Sequence, residues 1–217
     1  MDRQELPQRR PPGGGPDRAG SQPSRPRRRS RESWIELALT ALAADGLAAV
    51  AIEPLAKRGG ATKGSLYWHF ESREALLQAT LDHWEQERTG ALIDYAMRFT
   101  TPRQRLEKLL EAVFFPAAGE QIEPALAAAS DDPLVAAALA RTAGRRVGFL
   151  ASQYEQLGFV PAEARVRAVS TYALFLGQAQ LLRWARPLTT SAEDDADARA
   201  AHLADVVEMC LAQPPRG

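Results

Sequence analysis

The chain has 217 residues with 27 Lys and Arg against 27 Asp and Glu, so its formal net charge is zero. At 45% hydrophobic and 25% charged residues it has a globular composition, with length for one ordinary domain or two small ones. A single cysteine, Cys210, excludes an intramolecular disulfide framework and fits a reducing cytoplasm, and the absence of an 18-residue apolar run or an N-terminal apolar h-region argues against a membrane span and a signal peptide.

Zero net charge, read as an average, argues against a nucleic-acid partner, but the charge is unevenly spread. Residues 1–31 hold nine arginines against Asp2, Glu5 and Asp17, a balance of +6, and the remainder carries −6. The same stretch is rich in Pro, Gly, Ser and Gln and nearly free of apolar residues, so burial cannot offset its ordering entropy. Residues 1–30 are therefore expected to be a disordered basic arm. Two uses stay open for it: a solubilising tail, or an arm that tracks phosphates or enters a minor groove.

From Ser33 onward every periodic stretch is helical, and no alternating β-branched run with hairpin turns occurs, so the fold class is all-α. Helices are expected near 31–44, 52–58, 62–69, 72–98, 102–115, 122–129, 133–157, 161–186 and 192–212. The breaks fall at Asp45-Gly46, Gly59-Gly60, Thr101-Pro102, Pro116, Asp132-Pro133, Gly158 and Pro187. Ser191-Ala192-Glu193-Asp194 reads as a helix N-cap with acids in the first turn rather than as a metal site.

In the first helix Trp34, Ile35, Ala38, Leu39 and Leu42 form one apolar stripe. A short helix, Ile52 to Arg58, follows, with Pro54 tolerated in its first turn. After Gly59-Gly60-Ala61, Thr62 is positioned to cap a second short helix, Lys63-Gly64-Ser65-Leu66-Tyr67-Trp68-His69-Phe70. Two short helices joined by a glycine turn make a helix-turn-helix, whose second helix is placed for the major groove. Leu55, Ala56, Leu66 and Phe70 have the spacing to pack the pair together. Lys63 can reach a phosphate or a guanine edge, and Gly64 allows close backbone approach. The Ser65 and Tyr67 hydroxyls can donate to phosphates, and Trp68 and His69 can pack on sugar or donate.

The run from Leu55 to Phe70, followed by Ser72-Arg73-Glu74-Ala75-Leu76-Leu77, resembles the TetR family of bacterial transcription regulators. With the upstream stripe and Gly46 the resemblance covers about 45 residues, and Gly64, Tyr67, His69 and Phe70 all fall in register. It implies a DNA-binding set of Thr62, Lys63, Gly64, Ser65, Tyr67, Trp68, His69 and Arg73. Three departures stand out: Val50-Ala51 where the second helix usually has a Ser or Thr cap, Ala61 where the turn often has Val, and a local charge of −2 over 32–76. The missing cap costs roughly 1 kcal/mol, and the +6 arm can compensate for the acidic balance.

The resemblance divides the chain into the arm (1–30), a three-helix DNA-binding domain (31–77) and a larger helical domain for effector binding and dimerisation (78–217). It implies a ligand-responsive regulator: most simply a cytoplasmic homodimeric repressor, released from a palindromic operator when a small hydrophobic effector binds. The expected dimer face is Val166, Val169, Ser170, Ala173, Gly177 and Leu181 on one helix with Leu203, Val206, Val207, Cys210 and Leu211 on the last. Spacing alone leaves a monomeric core equally open. Aromatics expected around a ligand cavity are Trp84, Phe114, Phe115, Phe149, Tyr154, Tyr172, Phe175 and Trp184.

Catalysis has no visible apparatus. His69, His83 and His202 are scattered, Cys210 sits in an apolar stripe, and the lysine in Gly59–Ser65 precedes the second glycine, contrary to a phosphate loop. No metal or cofactor is expected. The remaining alternative is a helical binding or interaction protein with a degenerate DNA-reading head.

Overall fold

A computed structural model of the chain describes residues 29–114, 122–184 and 196–212. Among these every regular element is helical. Helix α1 (Arg31–Asp45) is capped by Ser30, whose hydroxyl accepts from the Ser33 N–H, and it ends at Gly46. A short 3₁₀ turn, Leu47–Ala49, leads to α2 (Ile52–Arg58) and then α3 (Lys63–Tyr67). Helix α2 starts at Ala51 with no side-chain cap, as the sequence implies.

The helix expected over 72–98 runs unbroken from residue 73 to 96, but its winding changes partway. Helix α4 (Arg73–Glu85), capped by Ser72, passes into a π-helical turn, Gln86–Gly90, before α5 (Ala91–Ala96). A π turn widens the winding and redirects backbone carbonyls, and such turns concentrate at functional positions. Periodicity cannot show it, because a single wide turn shifts the apolar register by only one residue.

Helices α6 (Pro102–Phe114), α7 (Ile122–Ala128), α8 (Pro133–Gln156), α9 (Pro161–Trp184) and α10 (Ala196–Leu211) complete the fold. The cap expected at Ser191 lies outside the described residues. Asp132 caps α8 by accepting from the Leu134 and Val135 N–H groups, with Pro133 in the first turn. Helices α8 and α9 are each 24 residues, about 36 Å long, and pack against one another.

Among the described residues two apolar cores form. The first joins Trp34, Leu42, Leu55, Leu66 and Phe70 of the N-terminal helices to Leu76, Leu77, Leu81 and Trp84 of α4. It continues past residue 77 into Ile122 and Leu126 of α7 and Val135 and Ala138 of α8. The second joins Leu106 and Leu110 of α6, Val147, Leu150 and Tyr154 of α8, Ala164 and Ala168 of α9, and Val206, Val207, Cys210 and Leu211 of α10. Helix α8 therefore runs through both cores, its N-terminal half in one and its C-terminal half in the other.

Candidate nucleic-acid interface

The N-terminal helical head, which holds the helix-turn-helix, is built around α1. Leu55 and Ala56 of α2 and Leu66 and Phe70 at α3 are all buried, as their spacing predicts. Burying a side chain the size of Leu66 contributes about 2 kcal/mol, enough to hold a five-residue helix that is marginal on its own. The turn between α2 and α3 needs both of its glycines, for different reasons. Gly60 has φ +63°, the left-handed region that disfavours a side chain. A Cβ on Gly59 would lie 2.5 Å from Trp34 Cζ3, so the Trp34 ring packs directly against the turn's backbone.

What remains on the outside is the expected recognition surface. Tyr67 is 55% and Trp68 70% exposed. Thr62, Lys63 and Gly64 are exposed, and Ser65 and Arg73 are half-buried. Thr62 occupies the cap position, but its hydroxyl makes no capping bond, contrary to the sequence expectation. The Ser65 N–H is already satisfied by the Thr62 carbonyl at 3.0 Å, so the hydroxyl is not needed there. Gly64 differs from Gly59: a Cβ there would meet only Thr62 Oγ1 at 3.8 Å, an ordinary contact. Nothing inside the described chain requires glycine at position 64.

Electrostatics explain part of the acidic balance. Lys63 Nζ lies 2.8 Å from Glu53, and Arg58 pairs with Asp45, all four side chains well exposed. The Lys63 hydrogen bond, and then its charge, hold the Glu53 carboxyl below the ordinary carboxylate range. Exposed pairs of this kind contribute little to stability and exchange readily for another anion. Lys63 thus faces outward with a weakly held partner.

His69 is turned another way. Its Nε2 lies 3.1 Å from the Arg29 carbonyl, and since a carbonyl only accepts, Nε2 carries the proton. Arg29 in turn donates from Nε to the Gly59 carbonyl at 3.2 Å, with its guanidinium 5.4 Å from the Trp34 ring centre. Arg31 lies over Phe70 at 5.2 Å. Arg29 and Ser30, the last two residues of the expected arm, thus contact the folded head, where one closes the turn and the other caps α1. Residues 1–28 of the expected arm lie outside the described residues. Composition could not separate Arg29 from its neighbours, because the distinction is made by contacts 30 and 40 residues away.

The expected cavity aromatics divide into groups. Tyr154 is fully buried in the second core, its hydroxyl 2.8 Å from Thr171 Oγ1 and its ring edge-on to Phe159. Burial pushes the Tyr154 phenol and the Cys210 thiol above their ordinary values. Phe149 is half-buried on α8, Phe114 and Trp184 end the described parts of α6 and α9, and Phe115 lies outside them. Trp84, Tyr172 and Phe175 come together around Arg146 of α8, whose guanidinium carbon is 5.9, 5.9 and 5.8 Å from the three ring centres. Sequence reading missed Arg146 because an arginine in a helix reads as a solvated charge.

Arg146 also ties α8 to the π turn, donating to Thr89 Oγ1 at 2.9 Å and to the Arg88 carbonyl at 3.4 Å, and to α7 by donating to Glu123 at 3.2 Å. Arg141 reaches Asp82 and Glu85, and Arg145 reaches Glu85, so three arginines of α8 grip α4 and its π turn.

The expected dimer face also divides. Val166, Val169, Ser170, Ala173, Gly177 and Leu181 are all exposed on α9, with Val166 at 65%. Val206, Val207 and Cys210 instead point into the second core of their own chain, with Leu211, and Leu203 is half-buried against it. In the single chain the apolar stripe of α10 thus packs into this core, chiefly against α6, and its outer side shows Met209, 59% exposed. Spacing identifies a stripe but cannot say which neighbour covers it.

Among the described residues no helix is long and apolar enough to cross a membrane, and no group of three His, Cys, Asp or Glu could hold a metal. Residues 35–80 match the family model of the bacterial regulatory proteins, tetR family. The chain is 35% identical over 95 residues to the transcriptional repressor KstR2 of Mycolicibacterium smegmatis, covering 42% of this chain and 44% of that protein. It is 35% identical over 52 residues to the transcriptional regulator SrpR of Pseudomonas putida, 24% of each. The matches thus span less than half the length of these curated relatives. Among solved structures, a putative TetR-family regulator from Rhodococcus sp. superposes with a TM-score of 0.65 at 23% identity, over 83% of this chain and 97% of that one. Escherichia coli NemR in its reduced form gives 0.67 at 20% identity, over 85% and 98%. At these identities the structural likeness speaks to the fold.

Proposed function

We propose that this chain, a member of the TetR family of bacterial transcription regulators, works in the cytoplasm as a homodimeric operator-binding protein whose DNA affinity is set by a small molecule in its larger helical domain. The observation that carries this reading is the outward face of α3. Thr62, Lys63, Gly64, Tyr67 and Trp68 are exposed together, and Gly64 has no role in the fold. Lys63 and Ser65 supply donors for phosphate and base edges, Tyr67 and Trp68 supply flat, partly polar surface, and Gly64 lets backbone approach. The relatives are repressor and regulator by name.

Dimerisation is supported by the exposed stripe on α9. Val166, Val169, Ala173, Leu176 and Leu181 recur at three- to five-residue intervals along one helix, leaving apolar surface that a two-fold copy of itself would cover. A dimer of this kind presents two α3 helices to successive major grooves, about 34–36 Å apart. Ligand in the larger domain acts by moving α4, which is continuous with the first core on one side and gripped by α8 on the other. Couplings between such sites are typically ~1–3 kcal/mol and reciprocal. A repressor follows when the ligand-bound spacing no longer fits the operator.

Selection from random duplexes with the purified protein tests this. An enriched inverted repeat, bound 2:1 and lost when Lys63 and Tyr67 are both replaced, is the expected result. A featureless pool from folded protein would refute it and leave a helical binding protein with a degenerate head.

A further inference from the structure

We infer that Trp84, Tyr172, Phe175 and Glu123 form a binding site for an organic cation, a substituted ammonium with an apolar body, and that Arg146 fills this site when no ligand is bound. The inference rests on the reading above that the larger domain takes an effector, and it names the chemical class. Three aromatic rings from α4 and α9 surround one guanidinium, each centre within 5.9 Å of its carbon. The face of an aromatic ring carries negative potential, so three faces turned to one point select positive charge. Glu123 adds a carboxylate 3.2 Å from Nη2 and selects the same sign. An anion placed there would meet three negative faces and a carboxylate. An anion that instead paired with Arg146 through Nη1 would stand beside the Glu123 carboxylate already held on Nη2.

The position also has unused polar capacity. Trp84 Nε1 and Thr142 Oγ1 are buried with no hydrogen-bond partner, each on a residue only 1% exposed. The first belongs to a wall of the site, and the second lies one helical turn before Arg146 on the same side of α8. A ligand with a hydroxyl or carbonyl near its ammonium has partners for both. The site is reachable, since the side chains of Arg146 and Glu123 are 13% and 25% exposed.

Filling the site with a ligand has a mechanical consequence. The same guanidinium that sits among the rings holds the π turn through Thr89 Oγ1 and the Arg88 carbonyl. A cation that evicts it releases these bonds, whereas the Arg141 and Arg145 pairs to Asp82 and Glu85 stay. Helix α4 is then loosened from α8 at its π-turn end only. Trp84 belongs to the first core and Tyr172 and Phe175 pack on the second, so the site lies where the two cores meet.

The test uses the full chain and three probes of one size: benzyltrimethylammonium, benzyl alcohol and benzoate, titrated calorimetrically. Benzyltrimethylammonium should bind, and the neutral and anionic probes should bind at least about ten-fold more weakly. Arg146→Met removes the resident competitor and should tighten benzyltrimethylammonium about ten-fold, while Glu123→Gln should weaken it about ten-fold. Melting curves check that each variant folds, and Tyr172→Leu, expected to weaken binding, substitutes for any variant that does not. Benzoate binding that depends on Arg146, or Arg146→Met binding the ammonium no better than the original chain, would overturn the proposal. Operator affinity is read separately on the selected duplex. Operator binding without any ammonium binding overturns the cation site and leaves the regulator intact. Ammonium binding that leaves operator affinity unchanged keeps the cation site and refutes its regulatory role.

Discussion

Gly64 is the second residue of α3, exposed, with a backbone that an alanine can adopt and with only Thr62 Oγ1, at 3.8 Å, near the position of a new methyl group. Gly64→Ala therefore separates folding from recognition. In the folded chain the methyl meets no clash, and replacing a helical glycine lowers the entropy of the unfolded state, a gain of about 0.5–1 kcal/mol. For a chain of this length that raises the melting temperature by about 1–4 °C. Against DNA the same methyl stands where backbone is expected to approach the groove. Forcing one extra methyl into a close-packed contact costs about 1–3 kcal/mol, a loss of roughly five- to 150-fold in operator affinity. Fluorescence anisotropy on the selected duplex, with thermal melting of the same samples, measures both. A variant that melts higher and still binds as tightly would refute the assignment of α3 as the reading helix. One that melts lower would show that Gly64 has a role inside the fold after all.

Gly59→Ala should do the opposite, because its Cβ would stand 2.5 Å from Trp34 Cζ3; a denaturant titration should show a loss of about 1–3 kcal/mol. Glu53→Gln removes the partner of Lys63 and should raise DNA affinity a few-fold at low salt, the gain fading as salt screens it; unchanged affinity would mean that Lys63 does not reach the DNA. Val169→Asp puts a charge in the exposed α9 stripe and should yield folded monomer in sedimentation analysis with operator binding lost, since the residue is already exposed in the single chain. The Cys210 and Tyr154 protons are held above their ordinary values of about 9 and 10, in each case chiefly by burial. The unfolded chain then loses these protons first, so their contribution is complete below about pH 9 and falls as pH rises through 9 and 10. Denaturant midpoints from pH 8 to 11 should decline, and Tyr154→Phe with Cys210→Ala should flatten that decline.

Much of the head was legible because its signals are local. The stripe from Trp34 to Leu42, the glycine turn and the buried Leu55, Ala56, Leu66 and Phe70 follow from spacing alone, and all occur. The uncapped start of α2 was equally readable, since Ala51 has no side-chain acceptor. Two nearby residues were not. Thr62 has the right chemistry for a cap, but the Thr62 carbonyl already serves the Ser65 N–H. His69 has the right chemistry for a phosphate contact, but its Nε2 meets Arg29, 40 residues upstream. In the larger domain the stripes on α9 and α10 look alike in sequence, yet one stays exposed and the other packs into the second core against α6.

By itself the sequence determined the all-α class, the helix breaks that fall within the described residues and the order of a short helix-turn-helix before the longer helices. These depend on periodicity, glycine and proline, which act within a few residues. It also located the excess of arginine that a zero net charge conceals. The tertiary structure alone decided that Arg29 closes the head's turn, that Arg146 sits among three aromatic rings while holding the π turn, and that Val206, Val207 and Cys210 face inward. Each of these is a choice of partner among residues far apart in the chain. A side chain's type limits what it can bond, but which surface it meets is set only when the helices pack.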